Sequence, residues 1–249
     1  MPRGAKNVRT VLPPPWPNYA RECSGGYVGC CTCPLANEPR LRPAFPPIAA
    51  ADRTRSRGRA GTIGRMSRTG YEIENPASGE RIKIRVSAAE SGGELLAWEL
   101  RLASGGRVPN GHVHPGQEER FSVVHGCLRF RIGRRSRILG PGQSVTVPPG
   151  APHHFANAGP TEALVLVETR PAMQMHELLA VAAELARDQH GRPRRLPRPV
   201  DLLLFMDEFR SEVQAPYVPG RLVRLVVRAV ARLAALTGAD RRYREMRAR

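Results

Sequence analysis

Two histidines and a glutamate lie close together in the middle of the chain, within the stretch GHVHPGQEE. His112 and His114 are one residue apart, a spacing that places both imidazoles on the same face of a β-strand. Pro115-Gly116 predicts a turn, and Glu119 begins the next run, so its carboxylate can approach the two imidazoles from a neighbouring strand. Imidazole nitrogens combined with a carboxylate oxygen are typical donors to a transition metal.

A second stretch, GQSVTVPPGAPHHFAN, can supply a fourth donor. It predicts a strand, a tight corner at Pro148 to Gly150, and then a further strand on which His153 and Phe155 are in step. Glu118 is the rival of Glu119 as the carboxylate ligand, because a shift of one residue along a strand reverses the face. We favour Glu119, which shares its face with Phe121 and Val123.

The two stretches resemble the two sequence motifs of the cupin superfamily. The first has the form His-x-His, four residues, Glu, six residues, Gly, and the second the form Gly-x5-Pro-x-Gly-x2-His-x3-Asn. Nine positions match these patterns: His112, His114, Glu119, Gly126, Gly142, Pro148, Gly150, His153 and Asn157. The 15 residues between the motifs are similar to the short spacing of compact single-domain cupins, and the helical sequence that follows resembles the tails of small bacterial cupin-domain proteins.

The resemblance implies an all-β domain over about residues 70–170, folded as a double-stranded β-helix, the jelly-roll barrel of cupins. It also implies that His112, His114, Glu119 and His153 bind one divalent metal. Three imidazoles and a carboxylate suit Fe, Mn, Ni, Co, Cu or Zn, and the sequence does not choose among these metals.

The alternation of apolar and polar residues independently predicts an antiparallel sandwich or barrel. Ile82, Ile84 and Val86 alternate with basic residues, and a similar run starts at Leu96. Further strands are predicted at 119–124, 127–132, 135–139, 143–147, 153–156 and 163–169. Four aromatic residues on apolar faces of these strands are candidates for the wall of a pocket: Trp98, Phe121, Phe130 and Phe155. No inward charged residue other than Glu119 stands out as a general base.

These residues leave three functions open. The first is a mononuclear metal-dependent enzyme, oxygenase-like, a dioxygenase acting on a small aromatic or enolic compound. The second is a metal-dependent isomerase or epimerase that needs no oxygen. The third is a non-catalytic module that binds or senses a small molecule around a structural metal.

The net charge of +17 is not a property of this central region. Residues 1–65 contain 11 basic and 3 acidic side chains, 66–186 contain 13 and 12, and 187–249 contain 15 and 7. The excess lies on the flanks, so we expect a small-molecule ligand and no nucleic acid. The absence of an 18-residue apolar run and of a signal-peptide pattern after Met1 predicts a cytoplasmic protein.

The two flanks differ from the barrel sequence in composition. Residues 1–65 are low in complexity, so we expect them to be disordered, or to precede a true translation start at Met66. The cysteines at 23, 30, 31 and 33 lack the paired spacing of a zinc knuckle.

Residues 171–249 predict a helical extension. Its helices are expected from Met175 to Arg187, from Asp201 to about Val213, and from after Pro219-Gly220 to Leu236. In the last helix, arginines 221, 224, 228 and 232 lie opposite an apolar stripe of Leu222, Val226, Val230 and Leu233. We expect that stripe to pack on the barrel or on a second subunit of a homodimer rather than to lie on a membrane surface.

Overall fold

The structure is a computed structural model that describes residues 68–108, 111–188, 190–194, 196–216 and 220–248, with the backbone alone at 220–224. The expectations for residues 1–65, including their four cysteines and the start at Met66, lie outside the described residues.

Nine antiparallel strands form two sheets, which confirms the all-β class of this part of the chain. The strands are β1 Glu72–Asn75, β2 Glu80–Val86, β3 Leu96–Leu102, β4 Glu118–His125, β5 Leu128–Ile132, β6 Arg135–Leu139, β7 Ser144–Val147, β8 His153–Asn157 and β9 Ala163–Arg170. One sheet has the order β1-β2-β3-β9-β4-β7 and the other the order β6-β5-β8. The architecture is consistent with the jelly-roll barrel that the motifs imply.

The core lies between the strands because apolar residues alternate along them. On β2, Ile82 and Ile84 are buried, whereas Arg81 before them is exposed and Lys83 between them is half-buried. Phe121 and Val123 are buried in the same way on β4. Strand β9 lies between β3 and β4, and all its residues are buried except the last, as expected for a central strand.

Gly126 closes the first motif for two steric reasons. Its φ of 76° lies in the left-handed region, which costs glycine little. A Cβ atom at this position would also lie 2.9 Å from the Cα of Ala163. Glycine therefore allows the chain to turn from β4 to β5 directly against the start of β9.

Four helices follow the barrel: α1 Met175–Leu185, α2 Pro199–Glu208, α3 Gly220–Thr237 and α4 Arg241–Arg247. Helix α1 packs against β1, and α3 packs against α2. Helix α2 ends five residues before the predicted end at Val213, because Val213 and Gln214 leave the helix and Gln214 pairs with Val113 beside the barrel. The helix predicted from the apolar period is confirmed up to Glu208, and the pairing of Gln214 with Val113 takes the chain out of the helix beyond it.

The packed side of α3 differs from the predicted stripe. Val227 and Ala234 are buried, whereas Val226 and Leu233 are 51% and 61% exposed. The stripe was assigned from the helical period alone, and the contact with α2 selects a side rotated from it. Among the helices in the described part of the chain, none is both long and apolar enough to cross a membrane.

Candidate metal centre

Two backbone segments bring the three histidines together. The N–H of His112 donates to the carbonyl of His153 at 3.0 Å, and the N–H of His153 donates back at 2.9 Å. The corner at Gly150 holds the second histidine of the His-x-His motif, because the Gly150 N–H donates to the carbonyl of His114 at 2.9 Å. The φ of Gly150 is 78°, so the corner needs a residue that tolerates the left-handed region. The Pro-Pro-Gly sequence thus links the two motifs.

The register of β4 decides between the two neighbouring glutamates. Glu119 lies opposite Val147 on β7 and Thr169 on β9, and its side chain is buried, whereas Glu118 is exposed. Strand alternation sends Glu119 into the barrel and Glu118 to the surface. The structure therefore places the favoured carboxylate beside the histidines and its rival outside.

Four donor atoms, one each from His112, His114, Glu119 and His153, lie within 4.8 Å of one another. The Oε2 atom of Glu119 is 3.3 Å from Nε2 of His114 and 3.1 Å from Nε2 of His153. Donor atoms that share an ion about 2.1 Å away lie roughly 3.0 Å apart at adjacent octahedral positions. The separations from Glu119 to His114 and to His153 match this geometry, so the four residues could together hold one metal ion.

Hydrogen bonds on the far side of two rings orient their free nitrogens. Nδ1 of His114 donates to the main-chain carbonyl of Glu212 at 2.5 Å, and Nδ1 of His153 donates to that of Ala151 at 3.2 Å. Because a carbonyl only accepts, the hydrogen of each neutral ring lies on Nδ1 and the lone pair on Nε2. Both lone pairs then face the same oxygen of Glu119, an arrangement that requires a proton or a cation between them.

The pKa shifts of His114 and Glu119 also favour a positive charge beside the carboxylate. Burial alone would lower the pKa of His114, but the carboxylate of Glu119 outweighs burial and raises it. Burial would raise the pKa of Glu119, but His114 and then His153 hold it well below its usual range. The buried pocket thus favours a negative carboxylate beside positive charge, which a bound metal would supply in place of a proton.

Thr169 holds the other oxygen of the carboxylate. Its hydroxyl donates to Oε1 of Glu119 at 3.1 Å, which leaves Oε2 directed at the histidines. Thr169 was not singled out from the sequence, because its role depends on the pairing of β4 with β9. Its hydroxyl follows an apolar run from Ala163 to Val167 and stands between Glu168 and Arg170, so no pattern marks it.

The four aromatic candidates are all buried, but they differ in their relation to the histidines. Phe121 and Phe130 have ring centroids 6.3 and 6.0 Å from that of His153. Phe155 packs against both phenylalanines at 5.2 and 5.7 Å. Trp98 belongs to the same buried core on β3. Three aromatic rings therefore form a layer next to the donor cluster.

Glu80 is an inward carboxyl group that sequence reasoning missed. It is in step with Ile82 and Ile84 on β2, and its carboxylate accepts a hydrogen bond of 2.6 Å from the hydroxyl of Ser78. Burial raises the pKa of Glu80, and the charge of Glu119 adds to this effect. The signal was present in the alternation, because Glu80 falls on the face of β2 that is otherwise apolar.

Asn157, the last motif residue, has a structural role. Its side-chain N–H groups donate to the carbonyls of Leu102, Ala103 and Thr161, and its carbonyl accepts from the N–H of Gly159. These bonds connect β8 to the end of β3 and to the loop before β9. The asparagine therefore holds strand ends together and is not among the donor atoms of the cluster.

A protein-family model named Cupin domain matches residues 98–168, which include all four donor residues. This part of the chain is a cupin domain. The family match, the two sheets and the donor cluster therefore lie in the same part of the chain. No curated protein matches the chain.

Solved structures of cupin type align with a similar portion of the chain. KdgF from a Halomonas species is 21% identical, with 41% of this chain and 86% of that chain covered and a TM-score of 0.36. An RmlC-like cupin from Shewanella frigidimarina is 23% identical, covering 42% and 86%, with a TM-score of 0.36. A predicted oxalate decarboxylase from Thermotoga maritima is 20% identical, covering 41% and 92%, with a TM-score of 0.38.

Proposed function

We propose that the cupin domain binds one divalent transition metal through His112, His114, Glu119 and His153 and acts as a mononuclear metal-dependent enzyme. The observation that carries the proposal is the convergence of four donor atoms within 4.8 Å. The carbonyl partners on Nδ1 of His114 and His153 support it, because they free Nε2 for an ion. We take residues 70–170 as the catalytic barrel and 171–249 as its helical extension.

A bound ion would supply Lewis-acid polarisation of a substrate oxygen and, for a redox-active metal, a site for dioxygen. The protein's own residues would bind and orient the substrate. The layer formed by Phe121, Phe130 and Phe155 presents aromatic surface beside the ring of His153 and excludes water from that side. An apolar wall next to a polar cluster suits a small aromatic or enolic compound, so an oxygenase, specifically a dioxygenase, is our leading assignment.

One observation favours a second candidate, a metal-dependent isomerase or epimerase. Glu80 lies on the inward face of β2, burial raises its pKa, and a carboxyl group of this kind can exchange a proton with a substrate. The oxygenase assignment gives Glu80 no necessary role. A Glu80→Gln variant should therefore retain activity in the first case and lose it in the second.

Measurements of turnover and oxygen consumption distinguish three possibilities: the oxygenase, the isomerase or epimerase, and a non-catalytic binding module. Full-length protein loaded with Fe, Mn, Ni, Co, Cu or Zn would be incubated with a panel of polyphenols, diketones and sugars, in air and without oxygen. Metal-dependent oxygen uptake with a polyphenol or diketone supports the oxygenase. Turnover without oxygen supports the isomerase, and silence of the fully loaded protein across the panel supports the binding module.

A further inference from the structure

The segment after α2, residues 209–216, runs beside the donor cluster. Its Gln214 forms two backbone hydrogen bonds with Val113, the residue between the two histidines of the first motif. The Val113 N–H donates to the Gln214 carbonyl at 3.0 Å, and the Gln214 N–H donates to the Val113 carbonyl at 2.9 Å. The His-x-His segment is therefore held on one side by β8 and on the other by the helical extension.

The same segment makes a direct contact with a proposed metal ligand. The carbonyl of Glu212 accepts the hydrogen bond from Nδ1 of His114, and both residues are buried. His153 donates the equivalent bond to the carbonyl of Ala151, which lies inside the barrel sequence. One imidazole is therefore oriented by the cupin motif itself, and the other by a residue nearly a hundred positions away in the sequence.

The position of the Glu212 carbonyl depends on how segment 209–216 is anchored. Phe209 is fully buried, and its carbonyl accepts from the N–H groups of Glu212 and Val213 at 3.0 and 2.8 Å. The guanidinium of Arg247 on α4 lies 5.6 Å from the centre of the Phe209 ring. The turn is fixed at Phe209, and the backbone pairing with Val113 is fixed at Gln214. The carbonyl of Glu212, which lies between these two points, therefore has little freedom to move.

We propose that segment 209–216 is a positioning element of the metal site: the main-chain carbonyl of Glu212 holds His114 with its hydrogen on Nδ1 and its Nε2 directed at the ion. The inference rests on the proposed metal site and extends it to the helical extension. Outer partners of this kind typically change metal affinity about 10- to 100-fold. The extension would thus set the affinity of the cupin domain for its metal while contributing no side chain to it.

Gln214→Pro tests the proposal in the full-length chain, because proline removes the N–H that donates to Val113. Gln214→Ala is the matched control: it keeps that N–H and removes only the side chain, which donates to the carbonyl of Arg210. Ala215→Pro controls for proline itself at the exposed neighbour. Zn²⁺ affinity is measured by competition with a chromophoric chelator. Imidazole ¹⁵N NMR at alkaline pH reports the Nδ1–H of His114 in the metal-free protein.

We expect a slowly exchanging Nδ1–H on His114 in the wild type and in both controls, and its loss in Gln214→Pro. We also expect the Zn²⁺ affinity of Gln214→Pro to fall about 10-fold or more, and that of the controls to stay within about 2-fold of the wild type. A folded Gln214→Pro protein with wild-type affinity and a protected Nδ1–H would overturn the inference and leave the metal site intact. A wild type that binds no Zn²⁺ would instead overturn the proposed site, and the NMR comparison would still decide the role of the carbonyl.

A second variant covers the case in which Gln214→Pro does not fold. Replacing Val213 by its α-hydroxy acid converts the preceding amide into an ester, which weakens the Glu212 carbonyl as an acceptor. It also removes the Val213 N–H that donates to the carbonyl of Phe209, so both changes loosen the carbonyl that holds His114 while every side chain is kept. The same loss of Nδ1–H protection and of Zn²⁺ affinity is expected. Unchanged values in this ester protein would also contradict the proposal.

Discussion

The barrel and the helical extension differ in what is added to their apolar contacts. The barrel combines its apolar core with the backbone ladders of two sheets, whereas the extension joins that core through residues such as Phe205, Phe209 and Tyr243 and adds ion pairs between its helices. Arg242 on α4 pairs with the buried Asp201 on α2 at 3.2 Å, and Arg247 pairs with Glu208 at 2.7 Å and with Glu177 at 3.3 Å. The difference teaches that a barrel of paired strands can present the donor side chains while a layer of helices joined by ion pairs fixes one of them from outside.

The largest effect on stability should come from the aromatic layer of the barrel. Phe130→Ala removes a fully buried ring that contacts Phe121, Phe155 and His153, so we expect the free energy of unfolding to fall by about 3–5 kcal/mol. Urea unfolding followed by tryptophan fluorescence measures the loss. A change below about 1 kcal/mol would show that the barrel does not depend on this core.

The extension should respond less strongly to loss of its central ion pair. Arg242→Met leaves Asp201 buried without its cation, and because Arg242 is partly exposed we expect a loss of about 2 kcal/mol. Arg241→Met, which breaks a pair between two exposed side chains, is the control and should change stability by less than about 0.5 kcal/mol. Equal losses in the two variants would contradict the structural role of Asp201.

The boundary between the two regions contains a group that responds to acid. His176 on α1 is buried with its ring against Tyr71, and burial lowers its pKa to about 4. The folded state therefore disfavours the protonated ring. Stability should be constant above the ordinary value of 6.5 and fall as the pH drops from there towards 4, by at most about 1.4 kcal/mol per pH unit.

His176→Leu should flatten this part of the pH profile of unfolding, since it removes the proton that the unfolded state would bind. His154→Leu, at a half-buried position of β8, is the comparison variant. An unchanged slope in His176→Leu would place the acid sensitivity elsewhere.

The smallest effect is expected on the open side of α3. Leu225 and Leu236 are 70% and 85% exposed, so changing either to Gln should alter the free energy of unfolding by less than about 0.5 kcal/mol. Val227→Gln, on the buried side of the same helix, should cost clearly more in chemical denaturation. The reverse order would contradict the packing of the Val227 side of α3.

The sequence predicted the elements with strong apolar alternation and missed those without it. Eight strands were predicted within about two residues of their ends, but β1 was not, because Ile73 is its single buried residue. Helix α4 was missed for a similar reason: only Tyr243 is buried, and ion pairs fix the rest. A pattern of polar residues carries no period to detect.

The residues of the site also fall into those that the sequence pattern predicts and those that it does not. Strand alternation was sufficient to prefer Glu119 over Glu118, and motif spacing was sufficient to group the three histidines. The hydroxyl of Thr169 and the carbonyl of Glu212 could not be predicted, since the first depends on strand pairing and the second is a backbone atom present in every residue. Glu80 could have been found from its position on the apolar face of β2.

Metal stoichiometry of the full-length protein, measured by native mass spectrometry after loading and removal of free ions, tests the central claim most directly. We expect one divalent ion per wild-type chain and per Glu118→Gln chain, because Glu118 is exposed, and none in Glu119→Gln. Equal occupancy in the two glutamine variants, or a wild type that retains no ion, would contradict the account.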